Sequence, residues 1–204
     1  MPHMPKRIAH WLSLAAAAWL LAGCASTTLQ STWRDPGYMG GAFKRVFVLA
    51  LSTRDVTARR VLEDVVVARL AASGVEAVPG WQVLPNDGPA AESALTAAVT
   101  ASRADAMLMV RLLGVDTQLT VWPQPVGPGP RFGWYGYYSG WYAYPQITQV
   151  AVVETTLFDV RTQRVVWSAT SETLNPTSVQ RDAPGFADVI LASLRKDGFL
   201  PAAK

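Results

Sequence analysis

The sequence predicts a single α/β domain built on a mixed parallel and antiparallel sheet, and three observations carry that expectation. Strand-length apolar runs alternate with helical apolar patterns through the first half of the chain, the arrangement of β-α-β-α units with parallel strands. Two long runs rich in Val, Thr, Leu and Phe then follow each other across a short turn, which makes them antiparallel. An amphipathic segment near the end adds a last helix.

The expected elements follow from local composition. Arg45 to Leu51 (RVFVLAL) is a continuous apolar run and reads as a buried strand. Asp55 to Ser73 has helical periodicity, with Ala58, Leu62, Val65, Val66 and Leu70 inward and Arg59, Arg60, Glu63, Asp64 and Arg69 mostly on solvated faces; Gly74 is the stop. Val75 to Leu84 gives a short strand and turn. Asn86-Asp87-Gly88-Pro89 punctuates the chain ahead of an Ala-rich helix to about Ser102, fit to pack closely on a sheet. Ala106 to Leu113 is the third strand, continuing in alternation through Val115 and Leu119.

Residues 121–146 break the pattern. Between Trp122 and Pro145, nine of 24 residues are aromatic, five are glycine and five proline, so a central strand is excluded across the proline cluster and an extended excursion is expected. Ile147 to Val160 and Arg164 to Thr173 are the last two strands, joined through Asp159 to Arg164. A final helix opens at Asp182 and Pro184, turns Phe186, Val189, Ile190, Ser193 and Leu194 inward, and ends at Gly198. The expected order is therefore β-α-β-α-β-β-β-α, with the excursion between strands three and four.

The amino terminus decides what the rest can do. Lys6 and Arg7 precede an apolar run from Ile8 to Leu20, and the small residues Ala22 and Gly23 precede the only cysteine, Cys24. Charge, apolar core and small residues in that order make a secretory leader, and the run is short of the roughly 20 residues of a membrane span. Leu21-Ala22-Gly23-Cys24 resembles the lipobox of bacterial lipoproteins at every position. The resemblance implies cleavage before Cys24 and lipid on its thiol and new amino group; several chains give firm anchoring, each buried methylene contributing about 0.8 kcal/mol. Ala25, in place of the aspartate that commonly retains lipoproteins in the inner membrane, implies the outer membrane and a periplasmic domain. The expected layout is leader 1–23, lipidated tether 24–42 and α/β domain 43–204.

Loss of that leader excludes several chemistries. Both histidines, His3 and His10, leave with it, and Cys24 becomes the lipid attachment point. Zinc sites of the His/Cys kind, Cys-His and Ser-His-Asp catalysis and disulfides within the chain are all removed, and no cofactor is expected. Two of the 18 basic residues also leave, so charge nearly balances against 15 acidic residues and gives no footprint for nucleic acid.

A second resemblance rests on Trp33-Arg34-Asp35-Pro36, Phe47 to Leu51, the Gly/Tyr/Trp-rich excursion, Glu154 to Val160 and Val165 to Ala169. Together they look like bacterial envelope lipoproteins carrying a domain of unknown function, and the element order is similar to the amino-terminal domain of TolB. That second likeness is one of fold.

Two candidate sites emerge. Glu154 shares a strand face with Thr156, and a catalytic reading makes Glu154 a desolvated acid or base partnered by Asp116 or Asp159; Asp159, five residues on, is expected on the opposite face, and no nucleophile is recognisable. The aromatic excursion is the stronger candidate. Trp134, Tyr135, Tyr137, Tyr138, Trp141 and Tyr142, spaced by glycine, supply contact area at small rotamer cost, suited to a glycan, the bilayer interface or a protein groove. The expectation is a non-catalytic envelope lipoprotein that binds a protein or glycan partner. The alternatives are a hydrolase of cell-wall material working through Glu154 and a purely structural lipoprotein that matters under envelope stress.

Overall fold

The computed structural model describes residues 27–51, 55–84, 90–122 and 144–202. Six strands form one sheet: β1 (Thr27–Arg34), β2 (Arg45–Leu51), β3 (Glu76–Pro79), β4 (Ala106–Trp122), β5 (Tyr144–Asp159) and β6 (Arg164–Leu174). Three α-helices accompany them: α1 (Val56–Ala72), α2 (Glu92–Ser102) and α3 (Val179–Lys196). The strand order is β1-β6-β5-β4-β2-β3. Strand β2 is parallel to β3 and β4, and the remaining pairs are antiparallel. The mixed α/β sheet is thus the one expected, with one more strand.

That extra strand corrects the tether reading of residues 24–42. Thr27–Arg34 pairs along β6 from Thr27↔Thr173 to Arg34↔Trp167, with an irregularity between Leu29 and Ser31. Polar composition concealed it, since an edge strand is held largely by backbone bonds on one side and needs little apolar side chain. Trp33 lies on this strand and is half-exposed.

The two sheet faces bury different clusters. Helices α1 and α3 cover one, packing Val66, Leu70, Phe186, Ile190 and Leu194 on Val48, Leu108, Leu157 and Trp167. Alternation sends Phe47 and Leu49 of β2 to the other face, where Ala98 and Val99 of α2 meet them. The alanines let α2 lie close, as expected. The α3 face also carries Ala183, Ala187 and Leu191, whereas Val189 and Ser193 are only half-buried.

Helix ends repeat one device. Gly74 (φ +77°) and Gly198 (φ +82°) follow α1 and α3 in the left-handed region. In each the residue beyond glycine bonds back, Val75 N–H to Leu70 O and Phe199 N–H to Leu194 O, satisfying carbonyls the helix leaves open. Phe199 is thereby turned into the core against Tyr38 and Phe43. Gly198→Ala is expected to cost about 1–2 kcal/mol, the left-handed penalty of a Cβ, read as a lower urea midpoint.

The opening of α3 differs from expectation. It begins at Val179, with Ser178 as cap residue, because the Asp182 carboxylate accepts from the backbone N–H of Thr177 and Ser178 and holds the first turn. Pro184 therefore lies inside the helix, where it forgoes the single bond to the Gln180 carbonyl.

The larger correction concerns α1. Arg59 and Glu63, expected on solvated faces, are both buried, on one face with Val66 and Leu70. Glu63 accepts from Ala50 N–H at 2.9 Å, Trp81 N–H at 2.7 Å and Arg59 Nε at 2.9 Å. One carboxylate thus joins α1 to the end of β2 and to the 3-10 turn Gly80–Gln82. Gly80 lets that turn lie close against β2: a Cβ there would stand 3.0 Å from Leu49 Cδ1 and 3.1 Å from Val48 O.

Candidate functional site

Glu154, the carboxylate on which the alternative, catalytic reading rests, stands in an exposed ion pair. Glu154 stands opposite Arg111 in the β4–β5 register and receives its Nη2 at 2.6 Å and Nε at 3.1 Å, with both side chains substantially exposed. Thr156 shares its face, opposite Met109 and Ser168. Neither expected partner joins them. Asp116 pairs with Val150 farther along β5, and Asp159, on the opposite face, is buried and accepts the Thr162 N–H of the β5–β6 turn. The Glu154 side chain is 37% exposed and stays in contact with solvent. Glu154→Gln is expected to lower stability by less than about 1 kcal/mol, as for an exposed cross-strand ion pair, measured by thermal unfolding.

The leader, Leu21, Ala22, Gly23, Cys24 and the aromatic residues Trp134, Tyr135, Tyr137, Tyr138, Trp141 and Tyr142 lie outside the described residues. What the structure adds is the base on which the aromatic segment is mounted. Strands β4 and β5 stay paired through Trp122↔Tyr144. The neighbouring strands stop earlier, β2 at the Leu51↔Arg111 rung and β6 at Leu174↔Val150. Gln149 still exchanges hydrogen bonds with Asn175 just past β6, and from Gln118↔Thr148 onward the two strands pair only with each other, a ribbon, or arm, that outruns its neighbours and leads into residues 123–143.

Beside the root of this arm lies a cleft of about 280 Å³, which sequence reasoning missed. It opens where β2 ends beside the middle of β4 and where α1 and α3 begin, at the carboxyl end of a parallel strand, the position at which open α/β sheets form crevices. Leu51, Leu62, Leu112, Val115, Val153 and Phe186 give it an apolar lining. Leu112, Val115 and Leu51 are 54%, 50% and 40% exposed, so the apolar surface continues outward from the cleft. Polar groups on its rim are already engaged: Arg59 with Glu63, and Asp182 with the start of α3. The spacing of the lining in sequence gives no warning, because it comes from six separate elements.

Among the described residues, no group of three or more His, Cys, Asp or Glu is placed to hold a metal ion. No described helix is long and apolar enough to cross a membrane. At the opposite end of the sheet, burial, followed by the charges of Asp159 and Asp105, raises the pKa of Tyr38 above the ordinary tyrosine range. Its hydroxyl donates to Gly41 O. Because unfolding returns that pKa to its lower value, stability is full below the ordinary tyrosine range and falls as pH rises through it. The alkaline midpoint of Tyr38→Phe is expected to show a weaker pH dependence than that of the parent.

No protein-family model matches the chain, and no curated protein matches it. Among solved structures, it is similar to PelC from Paraburkholderia phytofirmans, described as a dodecamer, at 17% identity over 78% of this chain and 96% of that one, with a TM-score of 0.42. Lipoprotein GNA1162 from Neisseria meningitidis is 12% identical over 75% of this chain and 96% of its own, with a TM-score of 0.40. A minor lipoprotein from Acinetobacter baumannii is 13% identical over 78% and 98%, with a TM-score of 0.36. Bacterial lipoproteins are thus among the distant structural neighbours of this α/β domain.

Proposed function

We propose that this chain is a non-catalytic lipoprotein of the bacterial envelope, held by lipid on Cys24 in the outer membrane with its domain in the periplasm. Its task is to engage a protein or glycan partner through the end of the β4–β5 arm, at Trp134, Tyr135, Tyr137, Tyr138, Trp141 and Tyr142. The domain belongs, on this reading, with the TolB-type arrangement that its element order suggested.

The arm supports the reading. A ribbon that outruns both neighbouring strands leads directly into the most aromatic stretch of the sequence. Aromatic side chains on a glycine-rich segment make contact surfaces at low entropic cost. The exposed Arg111–Glu154 pair leaves Glu154 without the environment of a general acid or base, which favours binding over hydrolysis.

A photocrosslinking residue at Tyr137 or Trp141 in living cells tests the partner, with exposed Arg103 on the far end of α2 as control. The expected result is a discrete protein or glycan adduct at the arm and none at Arg103. Background capture at all three positions removes the arm from consideration. Cys24→Ser tests the anchor separately: the precursor is expected to keep its leader and to lose labelling by radioactive palmitate.

A further inference from the structure

The first residue of β1 fixes where any anchor at Cys24 must sit. Thr27 Oγ1 lies 2.9 Å from Thr173 Oγ1, and Thr173 is part of the wall of the apolar cleft. Cys24 precedes Thr27 by three residues, which span at most about 10 Å even when fully extended. A lipid on Cys24 therefore holds one particular end of the sheet against the bilayer.

That end is the apolar one. Leu51 at the end of β2, Leu112 and Val115 on β4, Ile147 on β5 and Leu174 closing β6 are all substantially exposed there. The charges that flank the patch on β4, Arg111 beside Leu112 and Asp116 beside Val115, alternate to the other sheet face from the cleft. Apolar side chains gathered at one end of a water-soluble domain are unfavourable in water and are stabilised when an apolar phase covers them.

We infer that the end of the sheet formed by Leu51, Leu112 and Val115 is a membrane-docking surface, and that the cleft opens onto acyl chains of the leaflet in which Cys24 is anchored. The inference rests on the proposed anchor. It assigns the cleft a lipid occupant and gives the domain a defined orientation. The α1 and α3 amino termini and the side from which the β4–β5 arm extends face the bilayer, so a partner of the arm lies at the membrane, and the β5–β6 turn with the start of β2 faces away.

Depth-dependent quenching tests it on the full lipidated chain. Cys24 is the only cysteine, and lipidation converts its thiol to a thioether, so an introduced cysteine is labelled alone. Leu112→Cys, Val115→Cys and, at the far end, Lys44→Cys each receive an NBD fluorophore. The proteins are reconstituted in vesicles of phosphatidylethanolamine and phosphatidylglycerol, with or without brominated acyl chains. Quenching at 112 and 115 several-fold stronger than at 44 is the expected result. Equal quenching at all three, with the amino-terminal peptide shown by mass spectrometry to be lipidated, overturns the docking surface and leaves the anchor standing. A blue-shifted but unquenched label at 112 and 115 means that protein covers the cleft, and also overturns it. An unmodified Cys24 overturns the anchor itself and the inference with it.

Discussion

Glu63→Ala is expected to destabilise the domain by about 3–5 kcal/mol, the range found when one partner of a buried ion pair is removed. The loss has three parts that act together. Arg59, itself buried, is left as an uncompensated charge, and the N–H groups of Ala50 and Trp81 lose their acceptor. Chemical denaturation of the detergent-solubilised protein measures the change. Glu63→Gln keeps the shape and one acceptor oxygen but presents an amide donor where a second acceptor is required, so an intermediate loss is expected. A cost below about 1 kcal/mol for the alanine variant would place the carboxylate in water.

Trp167→Ala is expected to cost a similar amount, about 3–5 kcal/mol, by a different route. Trp167 is fully buried and fills the space between β6 and α3, while its Nε1–H donates to Asp197 Oδ2 at 2.8 Å. Truncation leaves a cavity that rigid neighbours on the sheet cannot close. Asp197 caps the carboxyl end of α3, an unfavourable place for a negative charge beside the helix dipole, and the indole donor offsets that. Trp167→Phe separates the two contributions. It refills most of the volume and removes the donor, so a loss of about 1–2 kcal/mol isolates the hydrogen bond and the residual space.

The contrast between these two residues shows what the sequence discloses. Trp167 lies in a run whose apolar alternation announces a strand, and the parallel half of the sheet, the β5–β6 turn and the glycine stops at Gly74 and Gly198 are equally legible. Glu63 was unreadable because periodicity counts every carboxylate as solvated; only the orphaned N–H groups at the ends of β2 and the Gly80 turn explain its burial, and they come from elsewhere in the chain. Strand β1 escaped for the reverse reason, a polar strand that answers to a partner at the far end of the sequence. The exposed role of Glu154 was half legible: its face was readable, whereas its pairing with Arg111 required the β4–β5 register. The cleft was invisible, since its lining meets only in three dimensions, and the lipobox and aromatic segment were read from sequence alone.

The distance in sequence between β1 and its partner also sets an order of assembly. Thr27 and Thr173 are separated by 146 positions. On the proposed export with the amino terminus leading, β1 would cross the inner membrane ahead of the other described strands and wait for β6 until translocation is nearly complete. Strands β4, β5 and β6, linked mostly to their sequence neighbours, close smaller loops and are able to pair earlier. An apolar strand kept waiting at a membrane would recruit other chains through its free edges. The polar side chains of Thr27, Thr28, Gln30, Ser31 and Thr32 would keep β1 soluble through that interval, so the composition that hides it in the sequence suits a strand that docks last.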